Sequence, residues 1–172
     1  MFRKADSGDL KRIAEIYDEI HTEEEAGRAC IGWVRSIYPT RKTAEVSIKK
    51  GDMFVEIEEG RIVAAGRLNQ EQVPEYADAK WDYDVPDDQV MVLHTLVVSP
   101  KVGKKGYGSR FVGYYEQFAL EHNCQYLRMD TNEKNRAART LYKKLGYKEV
   151  SIVPCEFNGI KGVRLVCLEK KL

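Results

Sequence analysis

Charge of one sign is missing from this chain: 28 lysines and arginines against 27 aspartates and glutamates leave a net charge of +1. A protein that grips a polyanion usually carries a basic surplus, so nucleic acid is not an expected partner. Cysteine is sparse as well. The four thiols, Cys30, Cys124, Cys155 and Cys167, lie far apart and form no C-x-x-C pair. That spacing speaks against the disulfide framework of a small secreted domain and against a metal site, and for reduced thiols buried as small apolar groups. Long hydrophobic runs are absent: no window approaches the roughly 20 apolar residues of a membrane span. Nor does Met1-Phe2-Arg3-Lys4-Ala5-Asp6 supply the apolar stretch of a signal peptide. A cytoplasmic protein without a membrane partner is the expectation.

What is present suits one mixed α/β domain over residues 1–172, with enough chain to bury a core. Asp6-Ser7-Gly8-Asp9 reads as a helix start, followed by Leu10, Ile13, Ala14, Ile16, Tyr17 and Ile20 on one helical face. Glu23-Glu24-Glu25 and Gly27 break that pattern. A second helix is expected from Cys30 to Ile37 and a third from Thr40 to Gly51. Met53–Ile57 and Arg61–Leu68 alternate as strands around the polar turn Glu58-Glu59-Gly60, an antiparallel hairpin. Residues 71–88 are acidic and irregular, and their aromatics serve either a substrate mouth or the packing of a surface loop. The aromatic content of residues 28–48 and 74–90 hints at a modest organic pocket. Val90–Val98 reads as a strand, Tyr107–His122 as a helix, Tyr126–Asp130 as a strand, and Ala137–Leu145 as a helix capped by Gly146. Strands at Tyr147–Val153 and Val163–Leu168 close the chain around Asn158-Gly159.

The most informative stretch is Leu96-Val97-Val98-Ser99-Pro100, followed by Gly103-Lys104-Lys105-Gly106-Tyr107-Gly108-Ser109. A branched apolar strand ends at a proline, and a basic, glycine-rich loop opens a helix. Such a helix N-terminus presents unpaired backbone N–H groups and the positive end of the helix dipole, which suit a phosphate or pyrophosphate. Glycine allows close backbone approach, and Lys104 and Lys105 add charge. The loop lacks the Gly-Lys-Ser/Thr ending of a P-loop, and Gly103, Gly106 and Gly108 miss the dinucleotide spacing.

About thirty residues on comes Asn135-Arg136-Ala137-Ala138-Arg139-Thr140-Leu141-Tyr142-Lys143-Lys144-Leu145-Gly146-Tyr147. With the strand and loop before it, over roughly residues 90–150, this resembles the GNAT superfamily of acyl-coenzyme A-dependent N-acyltransferases. The resemblance implies an α+β fold, a mostly antiparallel sheet flanked by helices, and acetyl-CoA as acyl donor to a primary amine in a ternary complex. It places the diphosphate on the backbone of residues 104–109 and the pantetheine arm along Leu96, Val97 and Val98. A bulge there is expected to splay this strand from its neighbour, so that an N–H near Val97 or Val98 stabilises the oxyanion. The family loop begins with Gln or Arg; Gly103 stands there in this chain, and Lys104 and Lys105 offset the missing side chain. A homodimer through the late strands also fits the resemblance.

By the same resemblance Tyr142 is the acid that protonates the departing thiolate, and Asn135 contacts the pantetheine or diphosphate region, with helix N-capping as its rival role. The general base is less plain. His94 falls on the face of Leu96 and Val98 if no bulge intervenes, and its titration range suits the task. Glu56 and Asp130 are weaker carboxylate candidates, and Glu23, Glu24 and Glu25 read as a solvated face. A non-catalytic acyl-CoA-binding or sensing module of the same fold is the alternative to an enzyme.

Overall fold

The computed structural model describes residues 1–103 and 105–172. The Asp6 carboxylate accepts from Gly8 N at 2.8 Å while the Asp9 carboxylate accepts from Asp6 N at 2.9 Å. This reciprocal cap occupies donors that a helix start leaves unpaired. It leads through one tight turn into α1 (Leu10–Glu25), which buries Ile13, Ile16, Tyr17 and Ile20 as the apolar spacing requires. Helix α2 (Arg41–Lys50) starts at Thr40 and stops at Gly51, whose φ of 78° is a left-handed end that glycine adopts without strain.

Seven strands form one sheet: β1 (Phe2–Lys4), β2 (Met53–Glu58), β3 (Arg61–Asn69), β4 (Val90–Val98), β5 (Tyr126–Asn132), β6 (Lys148–Phe157) and β7 (Ile160–Lys171). Their order is β1-β2-β3-β4-β5-β7-β6, and every neighbouring pair is antiparallel except β4 with β5. A parallel pair needs a crossover, here α3 (Tyr107–Glu121); α4 (Arg136–Lys144) then links β5 to β6. On one face Phe111, Val112 and Tyr115 of α3, with Tyr142 of α4, pack on Leu68, Met91, Leu93, Leu127 and Met129. The opposite face is covered twice: α1 and α2 lie over Met53, Val55, Ala65 and Val97, and Tyr76 of segment 70–89 packs with Val90, Val92, Val163 and Leu165.

Three readings of the sequence need correction. The expected helix at Cys30–Ile37 is an irregular loop. Gly32 there has φ of 86°, and the Glu24 carboxylate accepts from the N–H groups of Ile31 at 2.6 Å and Gly32 at 2.9 Å. The acidic trio does not end the first helix but forms its last turn, and each member holds the following loop: Glu23 on Arg28, Glu24 on Ile31 and Gly32, Glu25 on Arg35. The late strands are also longer than their apolar cores suggest, running to Phe157 and from Ile160.

In segment 70–89 packing wins over a substrate mouth. Tyr76 is 2% exposed, its ring sits 4.9 Å from Trp81, and the Arg128 guanidinium lies 4.2 Å from the Trp81 ring centre. Arg128 Nε donates to Glu169 Oε2 at 2.9 Å, and Glu169 Oε1 accepts from the N–H groups of Asp82 and Tyr83. A buried ion pair under an irregular segment supplies the partners that its backbone lacks. Removing one member leaves the other charge stranded, so Glu169→Gln is expected to cost about 3–5 kcal/mol of stability. Urea unfolding measures it; a loss below about 1 kcal/mol, the scale of an exposed pair, would show that this pair does not anchor the segment.

Candidate functional site

Between Ala65 and Arg67 the register on β3 advances two residues, while its partners on β4 run from Val97 to His94, three residues. Strand β4 therefore carries one extra residue, and Thr95, with φ of 52°, absorbs it as a bulge. The extra residue reverses the inward and outward alternation. Met91 and Leu93, then Leu96 and Val98, meet the core under α3 and α4, whereas Val97 meets the core under α1 and α2. His94 thus shares its face with Val90 and Val92, not with Leu96 and Val98 as unbroken alternation predicts.

The second consequence is a gap. Strands β4 and β5 pair from Val90 with Tyr126 to Leu93 with Met129, and no further. Beyond that point β4 runs on to Val98 and β5 to Asn132 without joining. Ser99 N donates to Val63 O at 2.8 Å, and Val97 stands opposite Ala65. Since N–H directions alternate along a strand, those of Leu96 and Val98 face the open side. Of the two donors expected at the bulge, alternation selects Val98, joined by Leu96, over Val97.

A cavity of about 370 Å³ passes through this gap. Asn135, Ala138 and Tyr142 of α4, Trp33, Tyr38 and Arg67, and residues 94–98 and 130–132 line it, Asn135 as the residue that caps α4. The loop after α1 roofs it: a Cβ on Gly32 would lie 2.4 Å from Asn132 Nδ2, so only glycine lets the backbone pass that close. Of the aromatic segments expected to shape a pocket, 28–48 contributes Trp33 and Tyr38; no residue of 74–90 lines the cavity.

Burial shifts Tyr142, Asp130 and His94 towards their neutral forms. Tyr142 is 7% exposed, and burial, aided by the Asp130 charge, raises its phenol so that it stays protonated. Burial also pushes the Asp130 carboxyl up to about 6, although Tyr76 Oη donates to it at 2.7 Å. His94 moves the other way, down to about 3, through burial and then the Arg67 charge, and its Nε2 lies 2.9 Å from Asn69 Oδ1. Glu56 is fully buried on β2 with Arg110 Nε 2.7 Å away, and it does not reach the cavity. Asn135 caps α4 by accepting from Ala138 N at 3.2 Å and also lines the cavity.

The glycine-rich loop stands apart from the cavity wall. Gly103 and Gly106 have φ of 74° and 76°, and space is open around both. Gly106 precedes α3, whose first-turn N–H groups at Tyr107, Gly108 and Ser109 have no partner within the helix. The Tyr107 side chain is buried beneath the Arg110 guanidinium, so only its backbone is available to a ligand. Gly108 packs so closely on α4 that a Cβ would lie 3.1 Å from Leu141 Cδ2, one residue from Tyr142. Lys105 is exposed, and Lys104 lies outside the described residues. Arg67, Tyr38 and Thr95 are site residues that sequence reasoning misses. Arg67 leaves a trace, a charge inside an apolar strand; Thr95 leaves none, because a bulge depends on the partner strand's register.

The family model described as "Acetyltransferase (GNAT) family" matches residues 11–147. The Bacillus subtilis (strain 168) protein named "Uncharacterized N-acetyltransferase YhfO" is 33% identical over 61 residues, 36% of this chain and 41% of that relative. Among solved structures, a GNAT family acetyltransferase from Streptococcus agalactiae superimposes with a TM-score of 0.84 at 24% identity, covering 100% of this chain and 95% of its own. A protein named yncA from Salmonella typhimurium, whose structure contains its cofactor acetyl-CoA, gives 0.70 at 17% identity, covering 100% and 93%.

The depressed His94 ring makes a prediction about acid stability. The unfolded chain protonates this histidine below about 6.5, whereas the folded protein does not until about 3. Its contribution is therefore complete above 6.5 and is lost as the pH falls towards 3. Between pH 7.5 and 4.5 the parent should lose roughly 2 kcal/mol more than His94→Gln. Urea unfolding at both values checks this; equal acid losses would refute it.

Proposed function

The chain belongs to the GNAT family of acetyltransferases, and on that premise we propose that it transfers an acetyl group from acetyl-CoA to the primary amine of a small molecule or peptide. Transfer is direct, in a ternary complex, within a single cytoplasmic domain. The observation that carries this reading is the gap between β4 and β5, with free N–H groups on the β4 edge and the Tyr142 phenol in the same cavity.

The residues present fit acetyl-CoA. The open N–H groups of Leu96 and Val98 pair with the amides of its extended arm as a neighbouring strand would. The first-turn N–H groups at Tyr107, Gly108 and Ser109, with Lys105 and the left-handed Gly106, suit the diphosphate. Asn135 completes the wall. When bound there, the thioester supplies an activated acyl carbon next to the bulge. An N–H of the open β4 edge polarises its carbonyl and stabilises the oxyanion as the amine attacks, in a site where little water competes.

Proton traffic falls to two residues. The incoming ammonium first loses a proton to Asp130, which, at about 6, is ionised and basic enough at neutral pH. The C–N bond forms, the C–S bond breaks, and Tyr142 gives its proton to the sulfur; the phenolate recovers a proton from the new amide nitrogen. His94 is better read as a neutral wall residue, because at about 3 its affinity for a proton is too low for the base role.

Calorimetry with CoA and acetyl-CoA, together with thiol release against a panel of amines, tests the assignment; no heat from either ligand would end it. CoA binding without turnover of any amine would favour a sensing module. Tyr142→Phe should lower kcat by roughly 10²-fold with CoA affinity retained, and unchanged turnover would remove it as the acid. The kcat/KM profile should fall as the pH drops through about 6, and Asp130→Asn should abolish that limb and lower the plateau. A limb that persists in the variant would assign the base elsewhere.

A further inference from the structure

We propose that the acceptor is a small amine carrying a carboxylate a few bonds from its nitrogen, an amino acid in the simplest case, and that Arg67 is the residue that docks this carboxylate. The inference rests on the transfer reaction above and names its acceptor class. Arg67 stands opposite His94 in the β3–β4 register, the last pair before the bulge. Its side chain is 18% exposed and lines the cavity.

This guanidinium is held mainly by charge, between Asp52 and Glu71 and against the Tyr38 hydroxyl, and one of its donors is left over. Its Nε is buried without a partner. Its Nη2 lies 3.5 Å from Glu71 Oε2 and 3.9 Å from Asp52 Oδ2, both too long or too poorly directed for a strong bond. Glu71 Oε2 is shared with Lys50 Nζ, an equally long contact at 3.4 Å, and Asp52 Oδ2 accepts from Asn69 Nδ2 at 2.6 Å. The other groups near it, the His94 ring and the Tyr38 hydroxyl bonded to Thr95 Oγ1, carry no charge to offset it. The cavity's second guanidinium makes the contrast. Arg28 is already forked onto Glu23, at 2.7 and 2.9 Å, and has no such vacancy for an anion.

A guanidinium in a cavity wall with its Nε unpartnered and its Nη2 only loosely paired is complementary to a carboxylate, which takes two parallel bonds from such an edge. Arg67 is one register step from the bulge where the acyl carbonyl is polarised, so the docked carboxylate and the reacting nitrogen are close together. Trp33 and Tyr38, edge to face at 6.0 Å, give the remainder of such an acceptor an apolar wall.

The test compares leucine, methionine and phenylalanine with their carboxamides, by steady-state acetylation and by calorimetry on the CoA-saturated protein. For at least one acid, kcat/KM should exceed that of its amide by roughly 100-fold, since a site built to bond a group rejects an analogue lacking it. Arg67→Gln should erase that preference by raising the acid's KM, with CoA affinity retained as the check on folding. Arg67→Lys should restore part of it, a point charge replacing the fork. Equal use of acids and amides by the parent, or an undiminished preference in Arg67→Gln, overturns the proposal. If CoA binds and no amine is turned over, the transfer reading fails on its own. Calorimetry then decides for Arg67: tighter binding of acids than amides sustains the anchor, and no difference overturns it.

Discussion

The hydrogen bonds that β4 and β5 do not make beyond Leu93 and Met129 organise everything else in this protein. Two parallel strands would ordinarily continue their ladder, and leaving backbone groups unpaired in the interior costs free energy unless something else satisfies them. The extra residue at Thr95 enforces the parting by turning β4 away from its neighbour while the pairing with β3 resumes on a shifted register. One inserted residue thereby produces an edge of free N–H groups, a channel through the sheet and a changed set of side chains facing each core.

Lining that channel with few solvent-exposed groups has a uniform electrostatic effect. Tyr142 stays protonated, the Asp130 carboxyl titrates near neutrality, and His94 stays neutral, each because burial penalises the charged form. The same low polarity makes the Arg67 guanidinium conspicuous beside His94, Tyr38 and Thr95 in the cavity wall.

The channel is held in shape by contacts that do no chemistry. Glu19 accepts from the Ser99 hydroxyl and pairs with Arg12 and Lys101, tying the end of β4 to α1. Three consecutive glutamates at the end of α1 fasten the loop that roofs the channel, a use that their charge alone does not suggest. The buried Arg128–Glu169 pair performs the corresponding task for segment 70–89.

Local chemistry made most of the elements legible in the sequence. Apolar spacing marks α1 and α3, alternation marks β2 and β3, and Asp6, Gly51 and Gly146 mark helix ends, because each of these signals is set by neighbours a few residues away. The glycine loop and the stretch from Asn135 to Tyr147 pointed to the family for the same reason. Cys30–Ile37 misled, since its aliphatic and aromatic spacing resembles a helix while Gly32 and the Glu24 carboxylate, seven and eight residues from the amides it holds, impose a loop. What only the tertiary structure decided are relations between distant segments: the register that places the bulge at Thr95, the reversal that moves His94 to the other face, and the burial that moves Asp130 up and His94 down. The vacancy around Arg67 belongs with these. No residue's identity encodes such properties, because solvation and strand register are set jointly by chains that meet only after folding.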